Sequence, residues 1–151
     1  MTVLKRLKIF MLLDMKIKLL LVEAFLLLGW ARILKGISFS KVAPSLGEHM
    51  KETTFDMDEG NRKLIRNVSQ AVNIMSRYTI WESMCLVKAI AAMKMLEKRK
   101  IESTIYFGTS KDENGKLIAH AWLRSGPLFI TGAEVMDQFV VVSKFAKRMG
   151  N

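Results

Sequence analysis

An α+β fold follows from a change of period near residue 100. Up to Lys100 the apolar residues recur every three or four positions, as on helices. Beyond it, short extended segments alternate with turn sequences. Size is the third observation. The chain has 151 residues, half of them hydrophobic and a quarter charged, which suits one domain with a buried core plus an appended segment.

The first 37 residues read as helix. Leu19 to Val22 and Phe25 to Leu28 flank Glu23 and Ala24, with Lys16 and Lys18 before and Arg32 and Lys35 after. This apolar run is shorter than the about 20 residues that cross a bilayer, and it contains Glu23. Asp14 and Glu23 also interrupt any signal-peptide core. A helix apolar over most of its circumference is buried by protein or lies in an interface. The expected role is packing against protein, with membrane-surface contact through this helix as the alternative.

Residues 38–60 hold Pro44, Gly47, Gly60 and the acidic stretch Glu52 to Glu59, and they read as a loop-rich linker. The expected organisation is therefore an accessory segment over 1–60 and a folded domain over 61–151. His49, in the linker, is expected to be solvated. From Asn61 to Tyr78, Leu64, Ile65, Val68, Ala71, Val72 and Met75 mark one face of a second helix. Residues 83–100 form a third, with Leu86, Val87, Ile90, Met93 and Leu96 inward and the cations of Lys98-Arg99-Lys100 at its C-terminal end. Met93 and Met95 are read as core filling. Thr104 to Gly108 is a strand, Asn114-Gly115 a turn and Leu117 to Arg124 a second strand. Ser125-Gly126-Pro127 turns into a third strand over Leu128 to Thr131. Phe139 to Val142 is either a fourth strand or the start of a terminal helix.

The formal charge is +10, but the basic residues are dispersed. No basic patch is interleaved with aromatics, and no zinc-finger or helix-turn-helix pattern occurs, so nucleic acid is not an expected partner. The single cysteine rules out an intramolecular disulfide and offers no zinc-ligand set. A thiol that must stay reduced fits the cytosol.

That cysteine, Cys85, sits at the start of the third helix, with Ser83 as a plausible N-cap. Unpaired amides and the positive end of the helix dipole favour thiolate over thiol there, and the same amides can hold an oxyanion. His120 follows on a strand, sharing a face with Ile118 and Trp122. If that face meets the start of the Cys85 helix, a nucleophile and a general base are paired. A third group should orient the imidazole. In a hairpin closed by Ser125 to Pro127, the residues opposite His120 fall near Thr131 and Gly132, neither a carboxylate. Glu134 is the preferred third member and Asp137 the alternative. A small buried thiol in a non-catalytic module is the competing reading.

Trp81-x-Ser83-x-Cys85-Leu86, the basic helix end Glu97 to Ile101, Phe107-Gly108 and His120-Ala121-Trp122-Leu123, in this order, resemble the lasso peptide leader peptidases. That family belongs to the transglutaminase-like, papain-like cysteine proteases. The resemblance covers about residues 60–145, and the apolar amino-terminal helix is similar to the family's accessory region. It implies a transglutaminase-like core with an apolar helical extension, and a Cys-His-Asp triad that cuts the leader from a ribosomally made precursor. By resemblance Cys85 is the nucleophile and His120 the base. Thr131-Gly132 stand where the family's aspartate would fall. The implied partners are the precursor peptide, a small leader-binding protein and a lasso cyclase, and no cofactor or metal is needed. Acyl transfer to an amine is the alternative outcome of the same thioester chemistry. The helix from Lys16 to Lys35 is a candidate docking surface, and covering the domain's own core is its other expected role.

Overall fold

The computed structural model describes residues 2–80 and 84–150. In chain order the elements are α1 (Val3–Leu12), α2 (Met15–Lys35), α3 (Phe39–Leu46), β1 (Glu48–His49), α4 (Arg62–Met75), α5 (Cys85–Lys98), β2 (Ser103–Lys111), β3 (Leu117–Ser125), β4 (Leu128–Thr131) and β5 (Val140–Lys147). Short 3-10 turns cover Glu59–Asn61 and Ala133–Gln138. Apart from the short β1, helices precede the strands of an antiparallel sheet, as the change of period predicts.

The amino-terminal helix is broken once. Leu13 and Asp14 are extended, and Asp14 occupies the N-cap position of α2. Leu20, Leu21, Ala24, Leu28 and Ala31 form the buried stripe of α2. It packs with Ile65, Val68, Ala71 and Val72 of α4 and with α5, which is buried on nearly all sides from Val87 to Leu96. Met93 and Met95 lie in this core. Val42 and Leu46 of α3 join it, so one hydrophobic core runs across residue 60.

Two ion pairs fasten α2 to the end of α5. Arg99 donates from both terminal nitrogens to Glu23, at 3.0 and 2.5 Å, and Lys98 lies 3.2 Å from the same carboxylate. The Arg99 hydrogen bond holds the Glu23 carboxyl below the usual range, against the opposing effect of partial burial. A lowered folded value stabilises the fold above the ordinary carboxylate value of 4.5, and the contribution is lost as pH falls through the lowered value. Glu23→Gln should therefore cost about 1 kcal/mol at neutral pH. The penalty should vanish in acid, as read by urea melts at pH 7 and pH 3.

Residues 38–60 are not a plain linker. Ser38 precedes α3, whose Val42 and Leu46, four apart, face the core despite Pro44 within the helix. Gly47 then turns the chain into β1 with φ 119°, where a β-carbon would collide with the Ala146 carbonyl. The sheet order is β1-β5-β2-β3-β4, with every neighbouring pair antiparallel. Val140–Lys147 is thus a strand rather than a terminal helix, and it lies inside the sheet.

The two faces of the sheet have different cover. Ile105, Leu123 and Phe145 share one face and pack into the helical core. Thr104, Tyr106, Trp122 and Arg124 share the other, under a strap formed by residues 52–55. Tyr106 donates to Glu52 at 2.6 Å and accepts from Arg124 Nε at 2.9 Å. That Tyr106 bond, helped by Lys144, keeps the Glu52 carboxyl below its usual range.

Candidate active site

Cys85 is the first residue of α5 and is half-buried. Met84, extended at φ −73° and ψ 175°, is the N-cap residue and supplies no side-chain cap. Ser83, expected in that role, and Trp81 lie outside the described residues. The first intrahelical bond runs from the Lys88 amide to the Met84 carbonyl at 3.0 Å. The amides of Cys85, Leu86 and Val87 precede it and have no acceptor within the helix.

The sheet supplies the imidazole. In the regular β2–β3 ladder His120 stands opposite Gly108. Its ring lies between Trp122, with centroids 5.9 Å apart, and Phe139, at 5.1 Å. Gly108 makes room for this stack, since a β-carbon there would come within 2.8 Å of both Trp122 and Phe139. His120 Nε2 lies 2.7 Å from the Gly132 carbonyl oxygen. A carbonyl can only accept, so Nε2 carries the hydrogen, and Nδ1 is the nitrogen left with a lone pair for a proton. The far-nitrogen partner is therefore a main-chain group.

Glu134 and Asp137 lie in the Ala133–Gln138 turn that Gly132 opens. Both are exposed, and among the described residues neither side chain makes a hydrogen bond or ion pair. Gly132 itself has φ 76°, and a β-carbon would approach the Ala121 carbonyl oxygen to 2.5 Å. Gly132→Ala should cost about 1–3 kcal/mol of strain. Its turnover should fall further than its melting temperature explains, because the strain falls on the carbonyl that orients His120.

Cys85 and His120 come to the same end of the sheet. From Cys85 to Lys98, α5 rises about 20 Å, and from Ser103 to Gly108, β2 rises about 17 Å. The Lys147–Glu97 ion pair, at 3.2 Å, sets the end of α5 beside the start of β2. At the other end Leu86 and Phe39 line one cavity, and Phe39 packs edge-on against Phe107 at 5.5 Å. The register, however, puts His120 with Trp122 and Arg124 on the strap side, whereas α5 packs on the side of Leu123. The face shared with Trp122 is thus not the one against α5, and no hydrogen bond joins the thiol to the imidazole. His49 is exposed, as expected, but it belongs to an edge strand and its Nε2 lies 3.2 Å from Ser143 Oγ.

The sequence profile of the transglutaminase-like superfamily matches residues 24–144, a span that takes in both Cys85 and His120. The chain belongs to this superfamily. No curated protein and no solved structure matches it. The matched span of this transglutaminase-like protein begins within α2 and crosses residue 60, as the hydrophobic core does. The superfamily consists in general of cysteine-dependent catalysts, which supports a peptidase or acyltransferase type of function. Among the described residues, no helix of this transglutaminase-like protein is long and apolar enough to cross a membrane.

Proposed function

We propose that this protein is a cysteine peptidase that removes the leader from a lasso peptide precursor, with Cys85 as nucleophile and His120 as general base. The observation that carries the reading is Cys85 at the first position of α5, within a superfamily match that also contains His120. The finer assignment rests on the resemblance carried by Ser-x-Cys-Leu and His-Ala-Trp.

In this mechanism Nδ1 of His120 takes the proton from Sγ, and the thiolate attacks the carbonyl carbon of the leader's last residue. Amides at the start of α5 hold the oxyanion. The imidazolium then protonates the leaving nitrogen, which becomes the amino terminus of the core peptide. Water, deprotonated by the same imidazole, cleaves the thioester and frees the leader. The mechanism requires Nδ1, which the register sets on the strap side of the sheet, to reach Sγ around the end of the sheet once substrate binds. The Gly132 carbonyl takes the place of the family's aspartate as the orienting group.

The test is mass spectrometry of a precursor incubated with this protein and a leader-binding partner. Free leader and free core are expected, and leader joined to an added amine would instead identify an acyltransferase. Glu134→Gln and Asp137→Asn separate the candidates for the orienting group. Near wild-type turnover in both leaves the role with Gly132, whereas a large loss in either, with the fold intact, returns it to that carboxylate.

A further inference from the structure

The outer face of α2 carries a feature that the proposed chemistry does not use. Met15, Leu19, Val22, Leu26 and Ile33 are all exposed, from 46% at Val22 to 70% at Ile33. They follow one another at spacings of four, three, four and seven, with Gly29 at the intermediate position. At 3.6 residues per turn they fall within about 60° of one another, opposite the stripe that α2 buries in its own domain. A narrow seam repeating every 3.5 residues is the pattern of a helix that packs against another helix.

The flanks of the seam are charged. In the heptad register that makes Leu19 and Leu26 a positions, Lys16, Lys18 and Arg32 take the flanking e and g positions. The acidic residue at the same class of position, Glu23, is already held by Arg99 and Lys98. Lys18 donates to the Met11 carbonyl at 2.7 Å, which leaves its charge uncompensated, so the border that remains for a partner is cationic, with Lys16 and Arg32 the freer of the three.

We propose that this seam docks an amphipathic helix of a separate polypeptide, apolar at its a and d positions and acidic at the positions that meet Lys16, Lys18 and Arg32. A second copy of this chain fits poorly. A parallel pair sets Lys18 only against Glu23 of the other copy, a carboxylate already held by Arg99 and Lys98, an antiparallel pair sets Lys18 against Arg32, and each copy carries a formal charge of +10. A bilayer surface also fits poorly, because a helix lying in an interface presents a broad apolar face, whereas most of α2 outside this seam is packed against its own domain. The inference does not depend on the peptidase reading.

The test uses a dye-labelled synthetic 21-residue helix with Leu at a and d and Glu at e and g, titrated with the full-length protein and read by fluorescence anisotropy. Saturable binding is expected. It should weaken about tenfold or more, the equivalent of about 1.4 kcal/mol, when Lys replaces Glu in the peptide or when Leu19→Gln and Leu26→Gln are combined in the protein. Both leucines are exposed, and an unchanged thermal melt confirms that the variant is folded. Lys16→Glu combined with Arg32→Glu leaves the seam intact and should reverse the preference towards the Lys peptide. Equal binding of the two peptides, or binding indifferent to both sets of substitutions, would overturn the proposal. So would flotation with phosphatidylglycerol vesicles, or concentration-dependent dimerisation, that is lost on substituting Leu19 and Leu26.

Discussion

Cys85→Ala is expected to lower precursor cleavage by on the order of 10⁴-fold or more, because the proposed acyl intermediate forms on its sulfur. The variant should fold normally. Cys85 is half-buried at the start of α5, ahead of the mostly buried stretch that begins at Val87, so the far-ultraviolet spectrum and melting temperature should match the parent. His120→Ala should cost about 10²–10⁴-fold, the usual contribution of a positioned acid–base group. The two substitutions act on one step, so the double variant should be little worse than Cys85→Ala alone. Cleavage undiminished in Cys85→Ala would sink the assignment.

Arg124→Ala should have the largest effect on stability, about 3–5 kcal/mol in a denaturant titration. The side chain is 1% exposed. It donates to the Thr53, Thr54 and Gly126 carbonyls at 2.9, 3.1 and 2.7 Å and to Tyr106 at 2.9 Å, with Phe55 stacked 3.8 Å from the guanidinium carbon. Truncation leaves those acceptors without a donor in a dry site, which costs more than the bonds themselves contribute. Arg124→Lys should recover only part of the loss, since one ammonium cannot span carbonyls arranged around a planar fork. Limited proteolysis should then cut within residues 52–55, the segment that the guanidinium ties down. Resistance there equal to that of the parent would show that the strap is held by other contacts.

The helices α4 and α5 and the strands β2 to β4 were legible because each carries its own period, whereas α3 reads as linker and β5 as either strand or helix. The spacing of Ile65, Val68 and Val72 and the alternation through Thr104 to Gly108 need no distant partner to be read. Glu48–His49 had no such signal, since two exposed residues make a strand only because Phe145 and Ala146 lie beside them. The side of the sheet on which His120 falls was equally hidden. Its strand is apolar on both faces, Trp122 on one and Leu123 on the other, so alternation alone could not say which one meets a helix. Cys85 at a helix start was readable from residue type and position. The acceptor for His120 was not, because a main-chain carbonyl has no letter in the sequence, although Gly132 in a left-handed conformation is the sort of residue that can present one. Arg124 left a trace, as a lone charge at the end of an apolar strand, but its partners 70 residues earlier did not.

The placement of β5 between β1 and β2 bears on how the chain folds as it is made. In chain order β5 follows every other strand of the sheet yet lies inside it, and until it emerges β1 has no partner and one edge of β2 is bare. The helices and the β2–β3–β4 meander can form from local contacts as they emerge. Closure of the sheet must wait for residues 140–147 and must bring together segments about a hundred positions apart, a slow class of contact. A nascent chain, or one cut before residue 140, therefore carries two open strand edges, which makes residues 140–147 a safeguard against aggregation as well as a part of the finished sheet.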